Sequence, residues 1–352
     1  MSVQTTPIPD NPQLREILDQ TADHQRNEFF SSGWWHSIDL GDGRVTPGVH
    51  HIDELRDNYA RFGLPEDMRG MRLLDIGCWD GFYSFESERR GAEVVSVDCW
   101  RPEKFFEAHH ALNSKIQFHE LSVYEVTKEK LGQFDVVLFL GVLYHLRHPL
   151  LALERVCEVS RHLAVIESHV VDNVLRTPRP VMEFYEVDEL GGQYDNWWGP
   201  NVECIARMAR AAGFVTATPI RRDDLRGVVK ASRLWDGLPT EPAPSLKIHE
   251  IVNAIKLNHE FPHRGKHAFL TIWAEGLPET VSRDTVQVTI GGVGTRPVYA
   301  GASKNPADPV LRVQINIAIP PGVDPGDTPI RIYHENKMSE AKVIALSEGT
   351  EW

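Results

Sequence analysis

The sequence predicts an α/β domain built on a parallel sheet, followed by a separate all-β sandwich. Three observations carry that expectation. Between residues 71 and about 235, near-continuous apolar runs alternate with amphipathic stretches, the pattern of strands covered by helices on both faces. Beyond the Pro-rich stretch 236–246 the chain turns to period-2 alternation with turn residues between runs. The length, 352 residues, accommodates two domains.

The elements follow in order. Residues 1–12 are polar and Pro-rich, and Leu14, Ile17 and Leu18 give 13–30 a helical spacing. Residues 31–50 form a Gly-rich aromatic loop with a hairpin candidate at Gly41-Asp42-Gly43. Residues 1–50 are therefore expected to be an N-terminal helix and loop capping the active site. Residues 51–62 read as a helix. Strands are expected at 71–77, 92–98, 115–121, 134–141, 162–168 and 214–220, with a seventh at 227–233. Helices fall at 80–90, 101–113, 149–160 and 200–212, which makes 51–235 one α/β domain. Residues 236–262 are expected to be a linker with a short helix at 247–260. The remainder, 263–352, holds the runs FLTIWAEG, TVQVTIGGV, VLRVQINIAI, PIRIYHEN and AKVIALS, the strands of a sandwich.

Composition narrows the function. Charged residues make up 25% and hydrophobic residues 41%, which excludes a disordered chain, a coiled coil and a collagen-like repeat. The net charge is −13, of which −11 lies in residues 1–239 and −2 in 240–352. Nucleic acid is recognised first by Lys and Arg on phosphate, so this balance weighs against it as a partner. MSVQTTPIPD has neither the basic nor the apolar region of a signal peptide. The longest apolar run, Phe134 to Leu146, is too short for a membrane span and is broken by Asp135 and His145. Cys78, Cys99, Cys157 and Cys204 form no CxxC pair and read as reduced thiols of a cytoplasmic protein.

The strongest chemical signal is MRLLDIGCWDGFYSF at 71–85. A buried strand ends in Asp75-x-Gly77-x-x-x-Gly81 and enters a helix, and glycines there let a ligand approach the backbone closely. Asp98 ends the next strand, where an acid accepts hydrogen bonds from ribose hydroxyls. The second signal is FDVVLFLGVLYHLRHPLLALERV at 134–156, a strand, a turn carrying Tyr144, His145 and His148, and a helix.

The first stretch resembles motif I of the class I S-adenosylmethionine-dependent methyltransferases, with Trp79 where the family commonly has a central glycine. The GVLYH segment, Gly141 to His145, is similar to the subgroup that includes the tRNA wobble-uridine carboxymethyltransferase. NWWGPN at 196–201 is similar to small-molecule and saccharide relatives of that group. The resemblance covers about 30–235 and implies a Rossmann-like seven-stranded sheet, with S-adenosyl-L-methionine as cofactor and S-adenosyl-L-homocysteine as product. It implies that Asp75 and Gly77 line the methionine end, with Cys78, Trp79 and Gly81 in the same turn. Asp98 holds the ribose, flanked by Cys99 and Trp100. Ser122 and Val123 edge the adenine, and Leu140 and Tyr144 border the transferred methyl. The wobble-uridine enzyme's carboxylated cofactor is held by basic residues that include an N-terminal lysine. The matching stretch SSGWWHS, 31–37, has no Lys or Arg, so ordinary S-adenosylmethionine is expected.

An alcohol or amine acceptor must also lose a proton, and His suits that near neutral pH. His145 is the first candidate base and His169 the second, with Glu167 orienting or sharing the work. All three lie at the C-terminal ends of parallel strands, where ligands bind in open α/β sheets. Trp34, Trp35, Asn196, Trp197 and Trp198 are candidates for binding the acceptor, by stacking on a sugar or planar group or by closing a lid. His259, His263 and His267 have a spacing reminiscent of metal ligands, but no Cys or acid completes a site and no metal is expected.

The leading expectation is methylation of oxygen or nitrogen on a small molecule, sugar or natural product. The alternatives are a tRNA wobble-uridine methyltransferase and a non-catalytic scaffold. Arg221, Arg222, Arg226, Lys230 and Arg233 form the basic patch that the tRNA reading needs. Residues 266–346 resemble bacterial immunoglobulin-like modules. Their expected uses are binding a carbohydrate or protein partner, oligomerisation, or a purely structural attachment.

Overall fold

The structure is a computed structural model, describing residues 32–41, 43–175, 177–223, 225–303 and 310–349. The helix expected at 13–30 lies outside the described residues. The hairpin around Gly41 and Gly43 forms, with an antiparallel bridge between Asp39 and Val45.

The first domain opens with α1 (Ile52–Arg61), followed by β1 (Arg72–Ile76), α2 (Phe82–Arg89), β2 (Glu93–Asp98), α3 (Glu103–Ala111) and β3 (Gln117–Glu120). A 3₁₀ turn (Val123–Glu125), α4 (Lys128–Leu131), β4 (Phe134–Leu140) and a second 3₁₀ turn (Leu143–His145) come next. Then follow α5 (Pro149–Val159), β5 (Ser160–His169), the short ribbon β6 (Met182–Phe184) and β7 (Trp198–Pro200), α6 (Val202–Ala211), β8 (Thr216–Arg222) and β9 (Arg226–Ser232).

The seven-stranded sheet runs β3-β2-β1-β4-β5-β9-β8. Its first five strands are parallel, as the unbroken apolar runs imply; six of the seven residues of β4 are buried. One strand departs from the parallel expectation, and β8 runs in the same direction as the first five. β9 is antiparallel to both β5 and β8, because only three residues separate β8 from β9 and a hairpin must reverse the chain. The order reverses between β1 and β4, so the ends of β1, β2, β4 and β5 frame the crevice where ligands bind such sheets.

The second domain contains β10 (Lys247–Asn253), β11 (Phe261–Pro262), β12 (Phe269–Glu275), β13 (Val286–Ile290), β14 (Val293–Thr295), β15 (Tyr299–Ala302), β16 (Arg312–Ala318), β17 (Gly326–His334), β18 (Lys337–Met338) and β19 (Lys342–Ser347). One sheet is β10-β12-β16-β15 and the other β11-β19-β17-β13-β14, with β18 on β17. Their inward residues share a core that includes Ile251, Ile272, Ile315, Val288, Ile332 and Leu346. The short helix expected at 247–260 is corrected: 247–253 is the edge strand β10. Its pairing with β12 slips between Ile248 and Glu250, and that bulge breaks the period-2 pattern. The linker is correspondingly shorter than 236–262. Among the described residues no helix is long and apolar enough to cross a membrane.

Candidate active site

Two glycines shape the turn after β1. Gly77 has φ 76°, and a Cβ there would lie 2.2 Å from Val142 Cγ2, so β4's loop can close over it only because it is glycine. Gly81, with φ 91°, caps α2 where a Cβ would meet the rings of Phe105 and Phe85 at 2.6 and 2.7 Å. Between them Trp79 takes a left-handed φ of 50°, a conformation a bulky residue holds only when its surroundings fix it. The fixing bond is visible: Trp79 N–H donates to Asp98 Oδ2 at 3.0 Å, and Cys99 N–H donates to Oδ1 at 2.8 Å. Burial raises the Asp98 carboxyl above its ordinary range, opposed by those amide bonds. A carboxylate at the end of β2 is an acceptor of the kind that the hydroxyls of the S-adenosylmethionine ribose need. Trp100, which is exposed, meets Trp79 edge-on at 5.3 Å.

Several expected contacts fall elsewhere. Asp75 is buried with its Oδ2 accepting from Ser84 Oγ at 2.6 Å, so its carboxylate braces α2 against β1 instead of lining the methionine end. Burial pushes its pKa up to about 6. Cys78 is buried, which pushes its thiol up, while Cys99 is exposed beside Asp98. Ser122 spends its hydroxyl on a capping box with Glu125, and Val123 packs in the core. Leu140 and Tyr144 are half-buried at the end of β4.

The three candidate catalytic residues separate sharply. Glu167 grips Arg226 with both oxygens, through Nε and, at 2.6 Å, through Nη2. Burial opposes the Arg226 charge, but Glu167 and Tyr144 outweigh it and hold the guanidinium protonated. Glu167 is therefore committed to Arg226 and is corrected as a histidine partner or base. Arg226 also donates from Nη1 to the Tyr144 hydroxyl at 3.3 Å. His169 is buried; its Nε2 lies 3.2 Å from the Tyr185 hydroxyl, and the Leu225 main chain engages it as well. Burial, with the Arg226 charge, pushes its pKa down to about 4. A neutral ring with both nitrogens engaged has no lone pair to offer, which corrects its candidacy as a base. His145, in the turn after β4, is half-exposed and pairs through Nδ1 with Asp195.

The aromatics divide too. Trp34 is buried in the core under the Lys104 ammonium, so it cannot stack on an acceptor. Trp35 meets His50 edge-on at 5.2 Å. Trp197 lies under the Arg147 guanidinium at 4.1 Å, and Trp198 donates its indole N–H to the Leu146 carbonyl at 2.9 Å. Asn196 is buried, bonded to Leu190 and Gln193 through Nδ2, with Oδ1 unpartnered. His259 contacts Glu250 and His263 contacts the Ser347 carbonyl; among the described residues no group of three or more His, Cys, Asp or Glu converges on a metal-sized site.

Asp80 is the main feature the sequence reading missed. It is buried inside the motif turn; Oδ2 accepts from the main-chain N–H of both Trp35 and His36 at 2.8 Å, and Oδ1 meets His36 Nδ1. This carboxylate ties the 32–50 segment over the turn.

A family described as a methyltransferase domain matches residues 49–217, the span that carries the turn, Asp98 and the β4 loop. Residues 49–217 thus match a methyltransferase domain. A tRNA U34 carboxymethyltransferase of Stutzerimonas stutzeri is 34% identical over 179 residues, covering 48% of this chain and 53% of that protein. A ubiquinone biosynthesis O-methyltransferase of Nitrosococcus oceani is 32% identical over 124 residues, 35% of this chain and 50% of that protein. The chain thus spans about half the length of the curated relatives it matches. Among solved structures, the N-terminal domain of EvdMO1, crystallised with S-adenosylhomocysteine and D-fucose, is 21% identical over 60% of this chain and 96% of that chain, with a TM-score of 0.41, too low to add weight.

Proposed function

We propose that the chain transfers a methyl group from S-adenosylmethionine to an oxygen or nitrogen of a small molecule or saccharide. The observation that carries this reading over the tRNA alternative is where the basic side chains spend their charge. Arg226 is paired with Glu167, and Arg233 is buried against Cys157 and the Pro321 carbonyl. Arg221 bonds Asp223 and Asn58, Arg222 faces Asp172 at 3.1 Å, and Lys230 donates to the Phe62 and Gly63 carbonyls. Each side chain of the patch that the tRNA reading needs is bonded within the protein, Arg222 from an exposed position. The segment 182–198 beside the β4 turn adds five carboxylates and no Lys or Arg. A polyanion is disfavoured there. The same pairing leaves Arg226 without spare charge for a carboxylated cofactor.

When bound, S-adenosylmethionine supplies a sulfonium-activated methyl group that carries its own leaving group. The chain's task is alignment and proton removal. Asp98 would hold the ribose diol, with Trp79 and Trp100 beside it. The Glu167–Arg226–Tyr144 network fixes the end of β4 and the ring next to the acceptor. His145 would take the acceptor's proton.

Calorimetry with S-adenosylhomocysteine tests the reading. We expect binding, and a loss of at least tenfold in affinity in Asp98→Ala; unchanged affinity removes the ribose role. Bulk tRNA in a gel-shift titration should give no complex at physiological salt, and tight, salt-sensitive binding would overturn the small-acceptor reading.

A further inference from the structure

His145 and Asp195 meet across 50 residues of chain. Nδ1 of His145 lies 3.3 Å from the main-chain carbonyl oxygen of Asp195 and 3.4 Å from its Oδ2. The contact is framed on both sides. Trp197 N–H donates to the Tyr144 carbonyl at 2.8 Å, and the Trp198 indole donates to the Leu146 carbonyl at 2.9 Å. The residues flanking His145 are thus zipped to the residues that follow Asp195.

The geometry decides a tautomer. A carbonyl oxygen only accepts, so Nδ1 must carry the hydrogen, and the lone pair of the neutral ring is then on Nε2. Among the described residues none engages Nε2. Contact with His145 holds the Asp195 carboxyl below its usual range.

We propose that Asp195 is a positioning residue: it holds His145 in the Nδ1–H form with Nε2 directed to the acceptor's proton. The proposal rests on the methyl-transfer reading above. In the step it serves, the acceptor's oxygen or nitrogen bonds to the methyl carbon, the carbon–sulfur bond breaks with its electron pair going to sulfur, and the acceptor's proton passes to Nε2. The resulting imidazolium is balanced by Asp195. Other charged or titratable groups stand near this turn: Arg226 from β9 reaches the Tyr144 hydroxyl, His169 from β5 lies 6.2 Å from Tyr144 ring to ring, Arg147 stands over Trp197, and His148 lies against Tyr124.

The test is long-range ¹H–¹⁵N NMR on the full chain labelled at histidine, with S-adenosylhomocysteine added and its binding measured by calorimetry on the same sample. His145→Gln identifies the signal. We expect the Nδ1–H tautomer. Asp195→Asn keeps the main-chain carbonyl, so it should keep that tautomer. An Nε2–H tautomer in the parent chain overturns the proposal, as does an Nε2–H tautomer in Asp195→Asn. Failure to bind S-adenosylhomocysteine overturns the methyl-transfer role instead, while the tautomer still decides the pairing.

Discussion

Asp80 gives the sharpest way to perturb the site without touching its chemistry. Its carboxylate receives three hydrogen bonds from Trp35 and His36, and its side chain is 1% exposed. Bonds to a charged group contribute about 1.5–3 kcal/mol each, but three bonds on one carboxylate are not additive. Asp80→Ala removes all three, and the loop amides regain water only if the segment peels away. The expected cost is about 3–5 kcal/mol. Asp80→Asn can retain three neutral bonds, because the amide oxygen can face the two main-chain N–H groups and its NH₂ can face His36 Nδ1. It therefore loses the charge contribution alone, about 1.5–3 kcal/mol. Native-state hydrogen exchange at the Trp35 and His36 amides reads this directly, since tenfold in rate corresponds to about 1.4 kcal/mol. Exchange should rise about 10- to 150-fold in the Asn variant and more in the Ala variant. Unchanged exchange at those two amides would refute the tether, and so would an Asn variant as severe as Ala.

Asp75 and His169 should tilt stability in opposite directions with pH. Burial raises the Asp75 carboxyl to about 6, so its contribution is full below the unfolded value of 3.8 and is lost as pH rises through 6. Burial lowers His169 to about 4, so its contribution is full above 6.5 and is lost as pH falls through 4. Each is worth on the order of 3 kcal/mol. In urea titrations Asp75→Asn should gain about 1–2 kcal/mol on the parent between about pH 5 and 7.5, and His169→Asn should gain on it during acidification; pH-independent differences would refute both assignments. Glu167→Gln should destabilise by about 2–3 kcal/mol, below the cost at a fully buried pair because Arg226 is 36% exposed, and should add affinity for a carboxylated cofactor analogue. Equal stability and unchanged cofactor selectivity would remove that pair's role. Arg233→Ala should convert one urea transition into two as the domains uncouple, and a single retained transition would argue against the interface it anchors.

The sheet was legible because buried parallel strands must be apolar on both faces, so β1, β2, β4 and β5 show as runs without alternation. The edge strand β10 was not. Ile248, Ile251, Val252 and Ile255 fit a helical spacing, and the bulge at Ile248/Glu250 hides the alternation that would have marked a strand. Within the site, what lies in one contiguous motif was readable: the turn from Gly77 to Gly81, Asp98 and the GVLYH segment. The pairs that do the electrostatic work were not, because each joins distant parts of the chain: Asp80 with His36 across 44 residues, His145 with Asp195 across 50, Glu167 with Arg226 across 59. In the sequence Arg226 stands only as one of five basic residues between 221 and 233. Its charge has a different meaning once a carboxylate lies against it, and composition alone carries no such pairing.

The junction of the two domains follows from the same strand. β9 carries Arg226 at its start, in the site, and Arg233 lies one residue beyond its end. β8 is the outermost strand of the sheet, and an edge hairpin is the part of a sheet held by the fewest bonds. The sandwich engages the other end of this hairpin, away from the site. Gly294 N–H donates to the Arg233 carbonyl at 3.0 Å, Arg296 donates to the Val215 carbonyl at 3.0 Å, and the Trp235 indole donates to Val288 at 3.1 Å. Arg233 itself reaches the Pro321 carbonyl from a site that is 1% exposed. A hairpin pinned at that end has less freedom to twist at its other end, where Arg226 must keep its grip on Glu167 and Tyr144.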